Sequence, residues 1–264
     1  MKKVLLLLAL CVVLVAVFAS CSCGESETTT KPATTSGQTP AATTNKGPAV
    51  TEDPQDSTSK GTVTVKPVED EFGNLSTDLV ESGYVENGIT YDIYKDGAKL
   101  ISADTTDKEI TIPAKIKNGT VAVKSIASHA FKNNETVTKI TMENGITLLG
   151  KEVFYGCYNL KEITLSNAIT AIGDGAFRNC FTLEKVLLPN TVTTMGTDIF
   201  FECRSLKEVA LPDNDSFVIV PNMTFYNCKA LEEITLPAST TIIGEQAFYY
   251  CKALKSFTFS DKIT

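Results

Sequence analysis

Residues 171–189 read AIGDGAFRNCFTLEKVLLP, and the same frame returns along the chain. Its aromatic residue, Phe177, belongs to a series: Phe131, Phe154, Phe177, Phe200, Phe225 and Phe248 stand 23, 23, 23, 25 and 23 residues apart. Cys157, Cys180, Cys203, Cys228 and Cys251 keep step with it, each three residues after its Phe. A fixed period of this length means one supersecondary unit copied along a solenoid, each copy burying its apolar face only against its neighbours.

Neighbouring copies fill the frame with like residues. One has Met195-Gly196, Ile199-Phe200, Cys203, Leu206, Val209, Leu211 and Pro212; another has Ile243-Gly244, Ala247-Phe248, Cys251, Leu254, Phe257 and Phe259. The first copy is degenerate, with Asn134 at the Cys position. Each copy predicts two short strands. Lys161-Glu162-Ile163-Thr164-Leu165 alternates polar and apolar, and so does Ile169-Thr170-Ala171-Ile172 before the glycine, the period-2 sign of a half-buried strand. The glycine suits a tight turn, and the proline after the first strand ends ladder pairing. The Ala-Phe segment predicts one turn of helix or 3₁₀ structure, with Phe pointing inward beneath the Cys and Leu. At about 4.8 Å per copy, six copies build a body roughly 30 Å long.

The outward positions of the first strand carry the functional signal. Lys161, Glu184, Lys207, Glu232 and Lys255 alternate in sign, and the next column runs Lys139, Glu162, Lys185, Glu208, Glu233 and Ser256. Each charge is expected to meet its opposite above and below, an exposed pair being worth about 0.2–1 kcal/mol. The third column is neutral: Thr141, Thr164, Leu187, Ala210, Thr235 and Thr258. Thr164, Leu187, Ala210 and Thr235 are therefore candidate ligand-binding residues for an extended polypeptide or a glycan, although a plain strand face has the same composition. The one length break in the regular array, Asp213-Asn214-Asp215-Ser216, adds Asp213 and Asp215 as candidates, since repeat insertions map to loops on one face. Their oxygens suit calcium, but the stretch lacks the length and closing Glu of a known calcium loop; a solvated turn is the simpler reading.

Other chemistry finds no support. Cysteines one solenoid turn apart form a column, not a tetrahedral cluster, so no metal site is expected; buried thiols are the leading reading and pairing between adjacent turns the alternative. His129 is the sole histidine, in a turn position filled elsewhere by Glu152, Gly175, Asp198, Met223 and Gln246. With no second histidine and no Gly-rich phosphate loop, neither an enzyme nor a cofactor is predicted.

The N-terminal region reads differently. Lys2 and Lys3 precede an apolar run from Val4 to Ala19, short for a membrane span and typical of a signal peptide, here residues 1–20. Phe18-Ala19-Ser20-Cys21 resembles the lipobox of bacterial lipoproteins and makes Cys21 the expected lipidation site, ordinary cleavage and free secretion being the alternative; Cys23 is the poorer candidate. Residues 21–70, including TTTKPATTSGQTPAATTNKGPAVTEDPQDSTSK, lack the apolar content to offset the entropy of folding and are expected to form a disordered stalk. Loss of Lys2 and Lys3 takes the formal charge from −7 to about −9, which argues against nucleic acid as a partner.

The repeat resembles the BspA-type leucine-rich repeat of bacterial surface proteins over about residues 88–264. Gly88 to Tyr94 and Lys99 to Ser102 read as a hairpin turning at Asp96-Gly97, and Ile110 to Pro113 and Val123 to Ile126 fit the lead-in to the first full repeat. The resemblance implies a mainly β, right-handed superhelix: an N-terminal β cap at 71–122, then about six 23-residue repeats at 123–264. In such repeats the Cys position holds Cys or Asn as a small inward residue. The family also implies cell-surface display and adhesion to extracellular glycoproteins, without fixed binding residues. The leading expectation is therefore a lipid-anchored, extracytoplasmic protein that binds a host or neighbouring-cell glycoprotein, or another surface protein, through the solenoid surface. Two alternatives stand beside it: an assembly component self-associating through an open C-terminal edge, since Ser260 to Thr264 begins a further repeat, and polysaccharide capture. The third lacks Trp, and Tyr155, Tyr158, Tyr226 and Tyr249 look scattered among turns.

Overall fold

The computed structural model describes residues 77–259 and 261–263, and among them there is no helix. The signal segment, Cys21 and the stalk lie outside the described residues. Three antiparallel strands come first: β1 (Leu79–Glu86), β2 (Ile89–Tyr94) and β3 (Gly97–Ala103). The β2–β3 hairpin pairs Tyr94 with Gly97, so Lys95 and Asp96 form its tip.

The array follows. One strand column holds β4 (Glu109–Ile112), β7 (Lys139–Met142), β9 (Glu162–Thr164), β11 (Lys185–Leu187), β13 (Glu208–Ala210), β15 (Glu233–Thr235) and β17 (Ser256–Thr258). The other holds β6 (Val121–Ile126), β8 (Leu148–Leu149), β10 (Ala171–Ile172), β12 (Thr194–Met195), β14 (Ile219–Val220) and β16 (Ile242–Ile243), with β5 (Lys115–Ile116) antiparallel to β6. The chain is thus a mainly β solenoid of about seven turns. β3 pairs parallel with β6, so the N-terminal meander continues the second column, while β4 pairs with β7 residue for residue and opens the first.

Within each turn the middle residue of the first strand points inward, as the exposed–buried–exposed pattern of β9 and β11 shows. Phe131, Phe154, Phe177, Phe200 and Phe225 are fully buried, and their rings stack at centroid distances of 5.2–5.5 Å. Burying five aromatic rings in one column supplies a large share of the apolar area the fold removes from water.

The Ala-Phe segment is not a helical turn. Its i→i+3 bonds, such as Lys132 N–H to His129 O (2.9 Å) and Asn134 N–H to Phe131 O (3.0 Å), are separated by left-handed residues that stop propagation. Two positions per turn have positive φ. One is the His129 column, where Glu152, Asp198, Met223 and Gln246 also lie at φ 50–58°. The other is Asn133, Gly156, Asn179, Glu202, Asn227 and Tyr250, immediately before the Asn134/Cys position. The alternation turns every second N–H along the axis, so the turns pair with each other directly. Phe131 N–H donates to Val153 O (2.9 Å), Phe154 N–H to Ala176 O (2.8 Å) and Phe177 N–H to Ile199 O (2.9 Å), with matching bonds from the residues two before and two after. The solenoid therefore has three hydrogen-bonded faces.

The glycine after the second strand also has a different reason from the one expected. Gly150, Gly173, Gly196 and Gly244 are not in the left-handed region; instead a Cβ on Gly150 would lie 2.3 Å from the Ser128 nitrogen, and one on Gly173 would lie 2.6 Å from that of Lys151. Close approach of successive turns excludes a side chain there.

Candidate functional site

The first-strand face is a sheet whose outward residues are fixed in register. Lys139 pairs across to Glu162, Glu162 to Lys185 and Lys185 to Glu208, and two residues further along, in the third column, Thr141 pairs to Thr164 and Leu187 to Ala210. Ion pairs close in alternate gaps: Lys139–Glu162 at 3.4 Å, Lys185–Glu208 at 2.7 Å, Glu184–Lys207 at 2.9 Å and Glu232–Lys255 at 2.9 Å. Each side chain thus leans to one neighbour, where the sequence had suggested contacts above and below. The hydrogen bond and charge of Lys207 hold the Glu184 carboxyl below its ordinary range, and Lys255 does the same for Glu232.

Between these ladders and the strand ends runs the neutral stripe. Thr164, Leu187, Ala210 and Thr235 are all exposed, Leu187 with half its surface in solvent. The structure brings Thr164, Leu187 and Ala210 together on one five-stranded sheet, β4-β7-β9-β11-β13, and puts Thr235 on a separate pair, β15-β17. Thr111 on β4 prolongs the stripe at its other end.

Asp213 and Asp215 are exposed, but the residue between them organises the loop. The Asn214 side-chain oxygen accepts from Ser216 N–H (2.9 Å) and Phe217 N–H (3.0 Å), while its amide donates to Asn190 O and Val192 O (both 2.8 Å). That bridge duplicates the one Thr191 makes to Asn167 O and Ile169 O, so the two extra residues are Asp215 and Ser216. Among the described residues no group of three or more His, Cys, Asp or Glu could hold a metal ion.

The cysteine column is chemically quiet. All five thiols are free, and each donates to the carbonyl of the preceding turn's Phe at 3.1–3.2 Å, from Cys157–Phe131 to Cys251–Phe225. Burial pushes Cys157 and Cys251 up to about 12 and the three between them well above the ordinary value. Asn134 works differently, accepting from Thr136 N–H (3.0 Å) and Val137 N–H (2.9 Å). His129 Nε2 lies 3.3 Å from Glu152, which Lys132 also pairs at 2.7 Å. Burial alone would raise the Glu152 carboxyl, but Lys132, His129 and Lys151 outweigh it and lower it.

Sequence reasoning missed a second ordered surface, on the turn face. Lys132, Tyr155, Arg178, Phe201, Tyr226 and Tyr249 form one column, each directly after its Phe. Lys132 lies over Tyr155 (4.8 Å), Arg178 over Phe201 (4.0 Å), Phe201 on Tyr226 (4.5 Å) and Tyr226 on Tyr249 (5.1 Å). Tyr158, Phe181 and Arg204 stack likewise in a parallel column. Its cations are already engaged, Lys132 with Glu152, Arg178 with Asp198 and Arg204 with Glu202. The period itself was the available signal, since reading the residue after each Phe down the repeats lists this column. A face whose rings cover one another and whose charges are paired offers little to a ligand. The first-strand face remains the better candidate.

Comparisons with known proteins agree with this architecture. Residues 106–218 and 218–264 match the profile of the BspA type leucine rich repeat region, in six copies. A leucine rich cell surface protein from Faecalibacterium prausnitzii is similar at 27% identity and a TM-score of 0.53, over 70% of this chain and 56% of that one. A leucine-rich repeat protein from Bacteroides ovatus is similar at 25% identity and a TM-score of 0.54, over 68% of this chain and 54% of that one. The match to these two thus spans little more than half of their length. The T. pallidum leucine rich repeat protein shares the fold at 22% identity and a TM-score of 0.53, over 65% of this chain and 90% of that one. No curated protein matched. Among the described residues no helix is long and apolar enough to cross a membrane.

Proposed function

We propose, from the premise that this chain belongs to the BspA-type leucine-rich repeat family, that it is a bacterial surface recognition protein whose first-strand face binds a glycoprotein of a host or neighbouring cell. The observation that carries the reading is the exposed neutral stripe centred on Leu187, flanked by charges already fixed in pairs. Exposed apolar area beside a charged margin suits a protein interface, the margin setting register and the apolar area supplying affinity. Capture of polysaccharide is the weaker reading, because Tyr158, Tyr226 and Tyr249 stack on neighbouring rings and Tyr155 lies beneath Lys132. Self-association is tested by sedimentation of the protein across a concentration series.

Display on the membrane is part of the same proposal: acylation of Cys21 would hold the repeat array outside the cell, two chains being enough for stable anchoring. Labelled palmitate should enter the wild-type protein and not the Cys21→Ala variant; equal labelling of both would remove the anchor from the account. For the ligand, the purified protein is applied to immobilised matrix and plasma glycoproteins with and without chelator. Saturable, chelator-insensitive binding to one of them is expected. Binding that chelator abolishes would move the site to Asp213 and Asp215, and none at all would sink the adhesin reading.

A further inference from the structure

The array is not uniformly joined. Three ladders connect most successive turns, but between β13 and β15, and between β12 and β14, the sheets break. Both breaks fall at one junction, and each has a cause in the sequence.

On the second-strand face, Thr193 N–H and Thr241 N–H donate to the preceding turn, to Thr170 O and Val218 O, both at 2.9 Å. Val218 N–H, in the equivalent place, donates instead to Ser216 O (3.1 Å), inside the loop that the two extra residues create. Three residues on, Gly150, Gly173, Gly196 and Gly244 donate to Ile126 O, Leu149 O, Ile172 O and Val220 O at 2.7–2.9 Å. Their counterpart at the junction is Pro221, which has no N–H to give. On the first-strand face, Glu184 N–H bonds Lys161 O (3.2 Å), Lys207 N–H bonds Glu184 O (2.9 Å) and Lys255 N–H bonds Glu232 O (2.8 Å), but no such bond joins Glu232 to Lys207. There the second charge column also loses its alternation, since Glu208 is followed by Glu233, and two carboxylates form no ion pair across the gap.

The turn face alone runs through unbroken. Asp198 N–H bonds Asn222 O (3.1 Å), Phe200 N–H bonds Thr224 O (2.9 Å) and Glu202 N–H bonds Tyr226 O (2.8 Å). The Cys228 thiol reaches Phe200 O (3.1 Å), and the Phe200 and Phe225 rings stack at 5.5 Å. Stability in a solenoid is a sum of turn and nearest-neighbour terms, so a junction that loses two ladders of three is where the array opens first. We infer that this junction is a hinge: the turns after Ser216 move as one unit about the turn face, changing the angle between the five-stranded sheet and the β15–β17 pair. This inference does not depend on the identity of the ligand.

Hydrogen exchange of the whole protein, read by peptide mass spectrometry, tests it. A step at the junction is expected, with the amides of 211–220 and 232–235 exchanging at least tenfold faster than those of 161–165 and 184–188. Deleting Asp215 and Ser216 together with Pro221→Gly and Glu233→Lys should remove the step. A smooth rise toward the last turn, or a step that survives this repair, would overturn the hinge. Should the repaired chain fail to fold, brief subtilisin digestion of the wild type decides: first cleavage between Asp213 and Val218 supports the hinge, and first cleavage within another turn of the array contradicts it.

Discussion

Single residues in this chain are chosen by what the neighbouring turn leaves room for. Gly173 is held by the Lys151 backbone, so Gly173→Ala must push two turns apart. Overpacking of that kind costs about 1–3 kcal/mol, and a lowered urea midpoint at unchanged slope is the expected result. Phe177 is the converse case. Its ring is stacked on both sides, by Phe154 and Phe200, and Phe177→Ala should cost about 3–5 kcal/mol in the same measurement. The thiols give a third test. Cys180, Cys203 and Cys228 are buried with pKa values far above neutrality, and only the thiolate reacts. They should stay unlabelled by iodoacetamide in the native protein, while the half-buried Cys251 is modified first on mild destabilisation. Rapid native labelling of Cys203 would contradict the packing described.

At the scale of elements, the ladders set a pH dependence. The folded pKa values of Glu184, Glu232 and Glu152, each paired with a lysine, are all lowered from 4.5. Such groups stabilise the fold above that value, and the contribution disappears as pH falls through the folded pKa. The urea midpoint should therefore hold from neutrality to about pH 5 and drop below about pH 4; a flat profile to pH 3 would show that the ion pairs add nothing. The strands behind these ladders were legible because period-2 alternation in Lys161 to Leu165 has one physical solution when one side is buried. The turn segment was not. Glu202 and Met223 have no intrinsic taste for the left-handed region, and hydrogen bonds to the next turn hold them there. Asn133, Asn179, Asn227 and Gly156 in the second such column were the one local hint. Likewise the glycine column read as a turn signal, because close approach of two backbones is a tertiary fact.

For the whole array, the 23-residue period disclosed the stack, its buried Phe and Cys columns and its outward faces before any coordinates. The weak junction was visible only as a length change of two residues; that it interrupts two ladders together depends on Pro221 and the Val218 amide acting at the same level. The choice between faces also needed structure, since Arg178, Arg204 and the turn tyrosines look as available in sequence as the neutral stripe does. Paired and stacked, they are not, which is why the proposed recognition surface is the one around Leu187. The most direct measurement is the affinity of the wild type and of Leu187→Arg for the glycoprotein retained in the binding screen, with Arg178→Ala as the turn-face control. The account predicts at least tenfold weaker binding for Leu187→Arg, about 1.4 kcal/mol, with thermal unfolding unchanged, and little change in affinity for Arg178→Ala. Undiminished binding by Leu187→Arg, with loss in Arg178→Ala, would contradict it and place recognition on the turn face.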